Sequence, residues 1–253
     1  QDNTASGAHA TVGGGQNNTT SSDRATVGGG ENNTASSPKS TIGGGQNNIS
    51  SGEQSTVGGG LNNTASGQRS FVGGGEGNTA STGTHTTIGG GFNNTASANQ
   101  STVGGGSNNV ASNFQSTVSG GDGNTASGNR TTVCGGENNT ANDHRSFVGG
   151  GKNNISSSGD STVSGGESNT ASGIDSTVAG GVGNTASGLR TFVGGGRNNT
   201  ASGSRTTVCG GEGNTASNGT HATVGGGQFN TASGFSSIVS GGFRAIALRY
   251  GQF

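Results

Sequence analysis

One branched apolar residue returns along almost the whole chain: Val12, Val27, Ile42, Val57 and so on to Val224 and Val239, sixteen in all. The interval is 15 residues except twice, where it is 16, and both extra residues fall in the same part of the unit, at Gly83-Thr84-His85 and Gly219-Thr220-His221. One unit reads roughly N-T-A-S-G-x-x-S-T-V-G-G-G-x-N. No apolar stripe of period 3.6 runs through it, and each unit carries several glycines, so helix is excluded. Two stretches per unit, N-T-A-S and S-T-V-G, are rich in β-branched residues and predict two strands of about four residues each.

Three positions do not vary: the Asn at the head of the unit, from Asn3 to Asn230, and the two glycines lying two and three residues after the marker. Repetition inside one chain reports a geometry that recurs in every unit. Glycine supplies positive φ or room for close approach, and Asn serves turns through its side-chain amide. The pattern predicts an all-β parallel β-solenoid of about sixteen 15-residue coils, each with two strands and two turns. At about 4.8 Å per coil the stack would be about 75 Å long. Identical residues would stack in ladders, led by Asn18, Asn33, Asn48, Asn63 and Asn78.

Side-chain alternation assigns the columns. The marker, the small residue two before it and the Gly two after it are expected inside, with Ala5 and its equivalents and the Asn on the facing strand. Composition makes this interior lean. Only 23% of residues are hydrophobic and 58 are Gly, too little apolar side chain for an ordinary globule. One Val and one Ala per coil must offset the ordering of fifteen residues. Further burial by self-association is therefore expected. The residue before the marker supports this: it is Thr in twelve units, but Phe71, Phe147, Phe192 and Ile238 in the others. These four are candidate interface residues. Arg69, Arg145 and Arg190 stand two before the three phenylalanines, where a guanidinium is expected to stack on each ring.

Charge is sparse and sorted. Charged residues make up 9% of the chain and the net charge is −1, which gives no electrostatic reason to bind nucleic acid or anionic lipid. Arg24, Lys39, Arg69, Arg130, Arg145, Arg190 and Arg205 all lie three before the marker, while Glu31, Glu76, Asp122, Glu137, Glu167 and Glu212 lie four after it. One edge is then mainly basic and the opposite one mainly acidic. Contact of basic with acidic edge, closing as a ring of three or more chains, is the sharper reading; two solvated edges are the plainer one.

Residues 1–242 form the repeat domain in this reading. After Gly242 the pattern changes, and residues 243–253 are expected to begin a seventeenth coil that caps the stack or joins it to another subunit through Phe243, Ile246, Leu248, Tyr250 and Phe253. The longest apolar run, Ala245-Ile246-Ala247-Leu248, is far too short to span a bilayer, so no membrane insertion is expected. His9, His85, His144 and His221 lie several coils apart and share no metal within one chain. Cys134 and Cys209 hold the same repeat position five coils apart, about 24 Å in a stack, and do not bridge each other. Gly151-Lys152 is followed by Asn153, which breaks the phosphate-loop pattern. No cofactor, metal or enzymatic activity is expected. Asn-x-Thr sequons such as those at Asn17, Asn32 and Asn62 follow from the repeat.

Units such as Asn63-Thr64-Ala65-Ser66-Gly67 followed by Ser70-Phe71-Val72-Gly73-Gly74 resemble the head repeats of trimeric autotransporter adhesins, the YadA-like heads, over about 240 residues. The resemblance implies a left-handed β-roll, three chains side by side, and adhesion to host matrix or other surfaces. The period of 15 is about one longer than the family's usual one, and neither a neck, a coiled-coil stalk nor a membrane anchor is recognisable. The function expected is a non-enzymatic extracellular or cell-surface fibre or adhesive module whose partner is itself. The rival is an ice-binding solenoid, since Thr and Ser of N-T-A-S would form an outward hydroxyl grid of roughly 6.7 by 4.8 Å.

Overall fold

The computed structural model describes residues 2–248, and within them the chain is an all-β parallel β-solenoid. Coils of about fifteen residues follow one another, about sixteen turns in all, each with two short strands and no helix. They fall in two compact units, residues 1–126 and 127–253. In the first unit the strands run from Thr4–Ala5 and Thr11–Val12 to Thr117–Val118 and Thr125–Ala126; in the second, from Thr132–Val133 and Thr140–Ala141 to Ile238–Val239 and Ile246–Ala247. Within each unit, every N-T-A strand pairs in parallel with the same strand of the next coil, and every T-V strand does likewise. The register is the repeat itself: Thr26 on Thr41, Val27 on Ile42, Thr34 on Ile49.

The strands hold two residues, not four. Left-handed residues in both turns bend the chain away just outside the T-A and T-V pairs. The turn that follows the marker adds a third parallel contact, through the residue four after it: Gln16 bridges Glu31, Glu31 bridges Gln46, and in the second unit Lys152 bridges Glu167. The 16-residue coils keep register. Phe71 still pairs with Thr87 and Val72 with Ile88, because the extra residue is confined to the turn between the strands. There Thr82 takes φ +44° and, in the other long coil, Asn218 takes φ +55°.

The core is a set of columns. Val27, Val57, Val103, Val163 and Val208 are fully buried, as are Ala35, Ala65, Ala126, Ala171 and Ala201 on the facing strand. The small residue two before the marker is buried too, and its hydroxyl commonly closes the turn: Ser40 Oγ donates to the Ser37 carbonyl at 2.6 Å and Thr131 Oγ1 to that of Gly128 at 2.9 Å. Where Ser replaces the inward Ala, it finds a partner across the coil, as Ser50 Oγ does on Ser55 Oγ at 2.6 Å.

The Asn column is the polar half of the core. Asn33 donates through Nδ2 to the carbonyls of Gly29 at 3.0 Å and Gly45 at 2.8 Å, while its Oδ1 accepts the backbone N–H of Asn48 at 3.0 Å. Asn48, Asn63 and Asn78 repeat these bonds. A buried amide is costly unless its donors and acceptor are used, and here they are.

The Gly two after the marker does not point into the core as the alternation predicts. A Cβ on Gly59 would meet the Gly44 carbonyl at 3.8 Å, ordinary contact, and one on Gly44 would meet nothing. The strand has already ended at the marker, so alternation no longer applies. What the core takes from this residue is its carbonyl, the acceptor for Asn63 Nδ2 at 3.0 Å. The Gly three after the marker is the sterically fixed one. Gly60 has φ +91° and a Cβ there would collide with the Gly75 carbonyl.

Candidate functional site

With the interior closed by small residues, the surface that remains to act consists of outward columns on the two strands and along the two turns.

The turn before the marker carries an unexpected feature. The residue three before the marker is left-handed in coil after coil, and it is never Gly: Arg24 (φ +56°), Lys39 (+59°), Gln54 (+60°) and Arg69 (+56°) in the first unit, Arg130 (+58°), Arg145 (+53°), Arg190 (+56°) and Arg205 (+55°) in the second. Non-Gly residues adopt this region at a cost of about 1–2 kcal/mol. The conformation is held by a bond to the preceding coil, as in Arg24 N–H to the Ala8 carbonyl at 2.8 Å and Arg69 N–H to that of Glu53 at 2.8 Å. The sequence signal was available: no β-branched residue and no Pro occupies this position.

The two charged columns lie on opposite turns, as the spacing predicts. Three ion pairs form inside the columns. Arg145 meets Asp160 at 2.7 Å, Arg190 meets Asp175 at 3.3 Å, and Lys152 meets Glu137 at 3.0 Å. Arg24 stands 3.9 Å from Asp23. Glu31 and Glu212 accept from Gln46 and Gln228 at 3.5 and 3.1 Å. Glu76 and Glu167 take part in the third ladder, bridging Phe92 and Lys152. Asp122 accepts from Ser107 Oγ at 2.6 Å and Asn108 Nδ2 at 3.1 Å, and these two bonds, Ser107 first, hold its carboxyl below the usual range. All these pairs sit at the surface, where an ion pair contributes about 0–1 kcal/mol.

The apolar residues before the marker do face outward. Phe71 is 42% exposed, Phe192 40% and Ile238 37%; Phe147 is half-buried. The expected stacking with arginine is not how the rings lie. Each ring leans the other way along the strand, over the glycine two residues on: Cε1 of Phe71 comes within 3.5 Å of the Cβ position of Gly73, and those of Phe147 and Phe192 within 3.3 Å of the Cβ positions of Gly149 and Gly194. Glycine leaves a gap on the outward face that a ring can cover. The guanidiniums turn instead along their own column, Arg69 Nε to Gln54 Oε1 at 3.0 Å and the other two to aspartates. A further apolar group gathers late in the second unit. Phe229 and Phe243 meet edge to face at 6.1 Å, Arg244 covers Phe243 at 4.9 Å, and Ile246 and Leu248 are exposed. Ala247 stacks on Ala232 and is buried, so a seventeenth coil does begin. Tyr250 and Phe253 lie outside the described residues.

On the other sheet the Thr of N-T-A is partly exposed and the following Ser lies at the surface, interrupted by Ile49, Val110 and Ile155. Cys134 and Cys209 are exposed and unbridged. Among the described residues no group of three or more His, Cys, Asp or Glu is placed to hold a metal ion.

Fold and surface together define a β-solenoid repeat protein with a closed small-residue core and patterned outward columns. No protein-family model matches this chain, and no curated protein does either.

Proposed function

We propose that the chain is a non-enzymatic structural or adhesive element of a cell surface or extracellular fibre, built by side-by-side association of copies of itself. The observation that carries this reading is the pairing of a lean interior with outward rings. Each coil buries little apolar side chain beyond Val and Ala, while Phe71 and Phe192 remain about two-fifths exposed at a position that holds Thr in twelve of the sixteen units. Exposed aromatic side chains on the outer face of a strand in each unit are suited to partner burial. The likeness of the repeat to adhesin heads supports the same reading, and the trimeric form and matrix ligand it implies belong to the proposal. Sedimentation at micromolar concentration tests it: an assembled species is expected, replacing Phe71, Phe147 and Phe192 by Thr should lower its mass, and binding to immobilised matrix protein should fall in parallel. A stable monomer that binds no surface refutes it.

The hydroxyl grid of the N-T-A-S face favours a second reading, ice binding. Its test is thermal hysteresis with ice shaping, lost on replacing Thr170 and Thr185 by Lys. Normal freezing behaviour in the presence of the intact protein dismisses it.

A further inference from the structure

Apolar side chains collect late in the second unit and face outward on every side of its last coils. Ile238 takes the outward place that Thr223 holds one coil earlier on one sheet, and Ile246 takes the place of Thr231 on the other. Leu248 follows where the preceding coil has Ser233. Phe229 and Phe243 stand on the turn after the marker, and Phe235 stands on the turn before it. All six are exposed, from 37% at Ile238 to 62% at Leu248, and they make up six of the fourteen large apolar residues so exposed among the described residues. Two further observations set this region apart. The Asn ladder stops there: Ala245 takes the Asn position, donates its N–H to Asn230 Oδ1 at 2.8 Å, and has no amide of its own to pass on. No Asp or Glu occurs after Glu212, while Arg244 is exposed with its guanidinium 4.9 Å from the centre of the Phe243 ring. The net charge of −1 averages this local difference away.

We infer that the coils around residues 229–248 form an interfacial membrane contact: the apolar collar enters the boundary between headgroups and acyl chains, and Arg244 meets anionic headgroups. A protein partner docked on one sheet would cover Ile238 or Ile246 and leave the other in water, because the two lie on different sheets. A lipid surface that receives the end of the ladder surrounds all its sides at once. The lack of carboxylates agrees with this, since each would be repelled by anionic headgroups and costly to desolvate. A ring beside an exposed guanidinium suits the boundary, with the apolar body sunk and the charge held at headgroup level.

The run Ala245-Ile246-Ala247-Leu248 is too short to span a bilayer, and an interfacial contact needs no span. It uses none of Phe71, Phe147 and Phe192, so it stands or falls separately from self-association through those residues.

The test is co-sedimentation of the full chain with vesicles of phosphatidylcholine alone and of equal parts phosphatidylcholine and phosphatidylserine. Binding to both is expected, tighter to the mixture. Phe243→Gln with Ile246→Thr and Leu248→Ser restores the residues that the same columns hold one coil earlier, Gln228, Thr231 and Ser233, so the fold should survive while the partition falls about tenfold or more. Arg244→Gln should weaken binding to the mixture about fivefold and leave binding to phosphatidylcholine nearly unchanged. Depth is read with Ile238→Trp and Ile246→Trp, each made alone in a chain that has no other Trp, against lipids brominated on their acyl chains; quenching of both is expected. Quenching of only one overturns the collar in favour of a single face. Binding that survives the triple substitution overturns it too, as does the absence of vesicle binding. In that last case, a sedimenting mass that falls with the triple substitution assigns these residues to a second copy instead.

Discussion

Asn33 donates its backbone N–H to the side-chain oxygen of Asn18 at 3.0 Å, and Asn48 does the same to Asn33 at 3.0 Å. Each amide thereby stitches its own coil to the next, using side-chain groups where the strand ladder has ended.

Removal of one rung should therefore be costly. Asn63→Ala leaves the Gly59 carbonyl and the Asn78 N–H without their partners, and at about 1–3 kcal/mol for each buried group the loss should be about 2–6 kcal/mol in denaturant unfolding. Asn63→Asp keeps the shape but turns a donor into an acceptor facing the Gly59 and Gly75 carbonyls. That carboxyl is buried, so its folded pKa is raised and the stability it permits exists below the unfolded pKa and is lost as pH rises through the folded one. This variant should tolerate acid better than neutral pH, and a variant indifferent to pH contradicts the assignment.

Two glycines of one coil should respond unequally to a side chain. Gly106 has φ +85° and a Cβ would collide with the Gly121 carbonyl, so Gly106→Ser is expected to cost several kcal/mol, about 3 or more. A Cβ on Gly104 would also collide with a carbonyl, that of Ser119, but its φ is not left-handed. Other coils accept Ser119, Ser164 and both cysteines at the same position. Gly104→Ser requires only a backbone shift of the kind those coils make, and in thermal melts it should cost clearly less than Gly106→Ser.

The left-handed turn position offers a gain. Gln100 sits at φ +59° with its N–H on the Thr84 carbonyl at 2.9 Å. Gln100→Gly relieves the side-chain clash and should be neutral to about 1 kcal/mol stabilising, after the entropy that Gly adds to the unfolded chain. Gln100→Val, branched at Cβ, should destabilise by about 1–2 kcal/mol. Thermal melts of the pair decide it.

Asp122 should titrate below an ordinary aspartate, because Ser107 and Asn108 donate to its charged form. Its folded pKa is depressed, so whatever stability it adds is present above the unfolded pKa and fades as pH falls through the folded one. Ser107→Ala should raise the midpoint, and Asn108→Ala should raise it less, as read by carboxyl NMR titration.

Much of this is legible in the sequence. Stacking places like on like, so the repetition of Asn33, Val57 and Ala65 predicts both their columns and their burial. What escaped is set by local geometry that residue type does not announce. Arg69 and Gln100 carry no turn signature, unlike Asn62 or Gly77 in the opposite turn, so their positive φ was not foreseen. The direction of the Phe71 ring depended on the vacancy at Gly73, a contact two residues away on one strand. Gly59 does not point inward because alternation stops with the strand at Val57.

The two long coils show where the design has slack. An additional residue enters between Ser81 and His85, and again between Ser217 and His221, without moving the strands on either side. That corner is a natural insertion port. Peptide epitopes, linkers or whole guest domains grafted there would be carried by a coil whose ladders do not register the cargo.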